Sequence, residues 1–204
     1  MLCFVLTSLL ATSEVIAQAA HSSGTVEAIW RTQTMDFHYR SDSQYITCAE
    51  FETKLSTTLL AIGVYRDMTI AALCPRELSG RVRARITLAS PIEATDQNLQ
   101  SVTTFTGTER LLAHLTQKTL PTPGSIERFP AQWRTVSLRR NTTVSIGTED
   151  CEFLRALSKQ VLPQLSVRVI RDVSGCMAAR IPPRLIVEAL VPVQMLHTAN
   201  DADL

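Results

Sequence analysis

The 204-residue chain has only 7 glycines and 5% aromatic residues, and it contains no G-x-G-x-x-G, Walker loop, G-x-S-x-G, S-x-x-K or H-E-x-x-H. No contiguous phosphate cradle, nucleophile elbow or helical zinc motif is therefore encoded. Few rings are on hand for the stacking platforms that bind carbohydrate or single-stranded nucleic acid. Neither sign of charge dominates. The formal net charge is +1, or +2 once the first nineteen residues, whose one charge is Glu14, are set aside, so no nucleic acid is expected as a partner. After Met1–Leu10 no apolar run approaches the roughly 20 residues that a membrane-spanning helix needs. C-x-x-C is absent, and His21, His38, His114 and His197 share no metal-ligand spacing. No metal, cofactor or catalytic residue is assigned on these grounds. What remains, at 45% hydrophobic and 19% charged positions, is a chain that can bury one sizeable core or two small ones.

The N-terminus reads as an export signal. Met1–Leu10 is almost wholly apolar and is followed by a polar stretch ending Ala17-Gln18-Ala19. An apolar run of about ten residues suits the h-region of a signal peptide, and A-x-A suits its cleavage site. Cleavage after Ala19 removes Cys3, which lies too early to serve as a lipid anchor. Four cysteines remain, Cys48, Cys74, Cys151 and Cys176, an even number of the kind an oxidising compartment pairs. The expected location is the periplasm or the exterior.

The chain also repeats itself. At an offset of 103 residues, Trp30-Arg31-Thr32 falls on Trp133-Arg134-Thr135 and Cys48 falls on Cys151. Cys74 meets Cys176 at 102, while Arg83 and Pro91 meet Arg184 and Pro192 at 101, which places short deletions in loops of the second copy. Two copies with so long a period do not make a solenoid. They predict an α+β fold of two pseudo-repeated β-α-β-β units. The expected organisation is a signal peptide (1–19), an N-terminal linker (20–29), a first unit (30–91), a linker with one short helix (92–129), a second unit (130–192) and a C-terminal tail (193–204).

Within the first unit, alternation about Met35, Phe37 and Tyr39 predicts a strand over 33–39. Thr47 with Glu50 forms a capping-box signature, and Phe51, Leu55, Leu59 and Ile62 make a helical stripe ended by Gly63. Met68, Ile70 and Ala72, then Val82 to Leu88 at alternate positions, read as a hairpin turning at 75–80. In the second unit Val136 and Leu138 mark the first strand, Asp150 is a candidate helix cap, and Pro163 ends that helix early. Strands follow near 165–171 and 184–191. Between the units, ERLLAHLTQK supplies the short helix and Pro121-Thr122-Pro123-Gly124 a semi-rigid joint.

Four cysteines allow three connectivities, and geometry selects one. A helix of about 14 residues runs roughly 21 Å out, and a strand of about six returns roughly 20 Å. Each unit's first cysteine opens its helix and its second closes the returning strand, so Cys48 pairs with Cys74 and Cys151 with Cys176. Each bridge closes a loop of about 26 residues, worth roughly 3–4 kcal/mol in the chain-entropy model.

Other polar features have plain readings. Glu149, Asp150 and Glu152 suit the negative first turn of a helix, and Asn141-Thr142-Thr143 fits a glycosylation acceptor where the source glycosylates. Arg81, Arg83 and Arg85 fall on one face of a strand by period-two spacing. That face can meet an anion, or it can be a solvated face or an edge strand charged against association. The second unit keeps only Arg184 of the three and has Ile186 in place of Arg85, which favours the plainer reading. The Trp-Arg pairs at both unit entrances are read as shared packing rather than a ligand cage.

The pattern of Trp, a cysteine eighteen on, a helix, and a second cysteine 25 or 26 later before a strand ending in Pro resembles a group of uncharacterised exported proteobacterial proteins built of two cysteine-bridged α/β repeats. The resemblance spans most of residues 30–192. It implies a periplasmic or extracellular location in a Gram-negative bacterium, and it carries no activity or functional residue with it. The leading expectation is a non-enzymatic envelope protein that binds a protein or an envelope component through sheet edges and a groove between the units. The alternatives are an exported hydrolase with a composite site between the two units, where a Ser or Asp would meet His38 or His114, and a polyanion binder acting through Arg81, Arg83 and Arg85.

Overall fold

The computed structural model describes residues 24–41, 45–65, 67–138, 146–172, 176 and 183–195. The expected signal peptide with Cys3, His21, the Asn141 acceptor, and His197 with the tail from 196 onwards lie outside them. Each half runs strand, helix, strand, strand. The first holds β1 (Thr25–Arg40), α1 (Cys48–Ala61), β2 (Thr69–Leu73) and β3 (Arg81–Glu93). After α2 (Asp96–Thr103) and α3 (Gly107–Leu115), the second holds β4 (Phe129–Leu138), α4 (Cys151–Gln160), β5 (Val167–Arg171) and β6 (Leu185–Pro192). All six strands form one antiparallel sheet in the order β2-β3-β1-β4-β6-β5. The fold is α+β.

The two halves join through a short, symmetric seam. Thr25–Ala28 pairs with Phe129–Gln132, and Glu27 faces Pro130 near its middle. Those two residues are 103 apart, the same offset that brings tryptophan onto tryptophan. Sequence alternation places the start of the first strand at 33, yet β1 begins at Thr25. Ala28 and Ile29 are both fully buried, so both faces of the sheet are covered here and the period-two signal disappears. The halves also differ in register. Trp30 faces Pro91, whereas Trp133 faces Leu190 and not Pro192. A two-residue step leaves every side chain on its original face.

α1 forms where its caps and stripe predict. The Thr47 hydroxyl accepts from the Glu50 N–H at 3.2 Å, and the Glu50 carboxylate accepts from the Thr47 N–H at 3.0 Å. Phe51, Leu55 and Leu59 are fully buried. Gly63 follows at φ +85°, and a Cβ there would stand 2.9 Å from the Leu190 carbonyl oxygen of β6. The turn after α1 is thus set directly against the other half.

α4 begins differently. Asp150 occupies its cap position but makes no bond back to the helix, because its φ −84°, ψ 7° departs from the extended conformation that aims a capping side chain. Its buried carboxylate instead accepts from the Gly147 N–H at 2.8 Å and from the Lys54 ammonium of α1. α4 ends before Pro163, as expected, and a 3-10 turn covers Leu162–Gln164.

One core serves both halves. Phe37 of β1, Phe51 of α1 and Phe153 of α4 meet with ring centroids 5.7–6.2 Å apart, each almost wholly excluded from water. α4 runs beside the part of β1 that has no strand on its second side. There the Gln160 amide accepts from the His38 N–H at 2.9 Å and donates to the His38 carbonyl at 2.8 Å. Arg31 reaches the Gln164 carbonyl at 2.6 Å.

The connecting segment holds two helices rather than one. α3 matches the expected ERLLAHLTQK helix. α2 lies in the Thr, Gln and Ser-rich stretch where composition masks a Thr95 cap on the Asn98 N–H and a buried Leu99 packed near Ile29 and Ile92.

Candidate functional site at the seam

Both expected disulfides are present. Cys48–Cys74 and Cys151–Cys176 hold Cα atoms 5.9 Å and 5.4 Å apart; the first fixes the start of α1 to the residue after β2, as expected, whereas Cys176 stands five positions past the end of β5 rather than closing that strand. They are structural, and they suit an oxidising, extracytoplasmic compartment. Among the described residues no helix is long and apolar enough to cross a membrane.

The recurrent tryptophans lie on the sheet face opposite α1 and α4, in a cluster with Ala28, Phe129, Ala131 and Leu190. This is the shared packing that the sequence predicts, but the two rings have different neighbours. The Trp133 indole N–H donates to Glu93 at 2.6 Å, and the Arg168 guanidinium lies 4.4 Å from its ring centroid while pairing with Glu188 at 3.2 Å. Trp30 has aromatic neighbours. Phe129 stacks on it at 4.6 Å, and Tyr65 meets it at 5.1 Å with a 59° tilt.

Beside Trp30 opens a cleft of about 570 Å³. Its lining crosses the seam, with Trp30, Tyr65 and Ala89 from the first half and Phe129, Pro192 and Met195 from the second. Asp67 and Glu127 supply the only ionisable carboxylates of the lining, and no Lys, Arg or His is part of it among the described residues. Sequence spacing gave no sign of this site. Tyr65, Asp67 and Glu127 belong to loops without periodicity, while Trp30, Thr32 and Pro192 carried a signal through their part in the repeat.

Arg81, Arg83 and Arg85 are exposed on one face of β3, as period two requires. β3 is an interior strand of the sheet, so protection of an edge does not explain them. Across on β1, Arg40 faces Arg81, His38 faces Arg83 and Asp36 faces Arg85. Of the three arginines, Arg85 has an ion pair, to Asp36 at 3.2 Å with both groups exposed. Arg184 lies just before β6 rather than on a matching arginine strand.

His38 is exposed on β1 and His114 on α3, and neither lines the cleft. The composite hydrolase arrangement is therefore not assembled there. Tyr39, mostly buried, has its phenol pushed above the ordinary tyrosine range, first by desolvation and then by the Glu152 and Asp150 charges, against a hydrogen bond from Ser41 that lowers it. Glu50 and Glu109 are held below the usual carboxylate range by backbone hydrogen bonds at their capping boxes. These shifts belong to structural groups outside the cleft. No protein-family model, curated protein or solved structure matches the chain.

Proposed function

We propose that this is an exported, non-enzymatic envelope protein of the periplasm or exterior, built from two copies of one β-α-β-β unit, and that it binds a protein or envelope component in the seam cleft. The observation that carries the reading is the cleft itself: apolar and aromatic walls from both halves, with two carboxylates to orient a ligand. The seam pairing centred near Glu27 and Pro130, 103 residues apart, supports the duplication. The apolar run Met1–Leu10, the A-x-A pattern ending at Ala19 and the even cysteine count support export. The test compares the natural protein with Ala89→Trp, which fills the cleft, as baits in envelope extract. A component retained by the first and released by the second is the expected result. Equal retention by both removes the cleft from the reading, provided circular dichroism shows both baits folded.

The register between β1 and β3 favours a second reading. Arg81, Arg83 and Arg85 lie exposed on one face of β3, and the register sets the Arg40 position of β1 opposite Arg81. A phosphate-rich polyanion suits such a row of guanidinium groups. Retention on heparin that falls steeply with salt, and that Arg81→Glu/Arg83→Glu abolishes, is its expected signature. Salt-insensitive behaviour would dispose of it.

A further inference from the structure

We infer that the cleft beside Trp30 receives an organic cation, a guanidinium or ammonium group carried on a flat or apolar body. This rests on the reading of the cleft as the binding site and specifies its ligand.

The second half supplies an internal template. Tyr65 and Arg168 each stand seventeen residues after their unit's first cysteine, and each packs on its own unit's tryptophan. In the second half the ring is already occupied by a cation from within the chain, the Arg168 guanidinium at 4.4 Å, neutralised by Glu188. In the first half the corresponding residue is an uncharged ring, 42% exposed, and the space beside it is a cleft. Trp30 and Tyr65 meet at 59° and not in a parallel stack, which leaves a corner formed by two π systems. A cation within about 6 Å of such rings is attracted by their quadrupoles.

The carboxylates complete the complementarity. Asp67 follows Tyr65 by two positions and Glu127 precedes Phe129 by two, and both line the cleft with those rings. Neither carries a hydrogen bond or ion pair among the described residues. Among the described residues the aromatic wall has two unpaired carboxylates and no basic neighbour in the lining, an arrangement that selects positive charge on an apolar carrier and rejects an anion of the same shape.

The two tryptophans give a test with its own control, because their indole N–H signals can be followed separately by ¹⁵N NMR and assigned with Trp133→Phe. The probes are benzamidine, benzoate and benzyl alcohol, which keep the ring and change the charge. Benzamidine should shift the Trp30 signal saturably and leave Trp133 in place, while benzoate and benzyl alcohol bind at least about fivefold more weakly. Asp67→Asn/Glu127→Gln, at exposed positions without partners among the described residues, should weaken benzamidine by about fivefold, the scale of two solvent-facing charge pairs. Equal binding of the three probes, or benzamidine binding untouched by the double substitution, overturns the cation inference and leaves the cleft as the site. No movement of Trp30 with any probe removes both.

Discussion

The two halves share a topology and differ in how they treat it. The first has a strand of 16 residues and a helix of 14, and the second manages with 10 and 10. Their outer edges are protected by unlike devices. At β2 the Ala72 N–H donates to Glu52 of α1 at 2.9 Å. The residue 103 positions on from Glu52 is Arg155, which cannot accept a hydrogen bond. β5 instead carries a bulge between Val169 and Arg171, and a bulged edge is a poor template for another strand. Both halves have a tryptophan, two cysteines and a buried helical stripe. The comparison shows one topology reached with unlike edges and unlike solvent-facing surfaces, a cleft in one half and a closed stack in the other.

The disulfides should give the largest effects and test whether the halves contribute alike. The loops span 26 and 25 residues, so replacing either pair by serine should cost about 3–4 kcal/mol in urea denaturation. A markedly unequal loss would show that one half holds residual structure in its unfolded chain and the other does not. Next is the contact that ties the halves together. Lys54→Met leaves the buried Asp150 carboxylate with the Gly147 N–H as its remaining partner and should cost about 2–3 kcal/mol. Asp150→Asn in the same chain should recover part of that loss, since it removes the orphaned charge.

Gly63→Ala combines a positive φ with an approach of 2.9 Å to a backbone oxygen and should cost about 2 kcal/mol. Ser166, at the matching offset, has no positive φ, and Ser166→Ala should stay within about 0.5 kcal/mol. Thermal unfolding of the two variants checks the contrast. The smallest effect is alkaline. The Tyr39 phenol is raised in the folded state, so its contribution is intact below the unfolded value near pH 10 and is lost as pH rises through the folded value. Tyr39→Phe should flatten that part of the alkaline stability curve, and a curve of unchanged shape would contradict the burial argument.

Much of the scaffold was legible in the sequence for reasons of local physics. Thr47 and Glu50 announce a helix start, the 51-55-59 stripe announces its buried face, and cysteine placement by helix and strand lengths selects the bridges. The start of β1 was hidden because burial on both faces at Ala28 and Ile29 erases alternation. α2 was hidden because its one buried anchor, Leu99, sits among polar residues. The sharing of a core by Phe37, Phe51 and Phe153 is a long-range fact with no local trace, and the same holds for the cleft. Arginine spacing did place three side chains on one face. It could not show that Arg40 and His38 stand opposite two of them, because register is a property of two strands.

The amide of Gln160 carries a consequence for self-association. By answering both backbone groups of His38, one side chain acts as a single rung of the missing neighbour strand. A second molecule seeking to zip onto β1 would first have to evict that rung and then compete with a helix already in its place. Those two bonds leave His38 with no backbone group to offer an incoming strand.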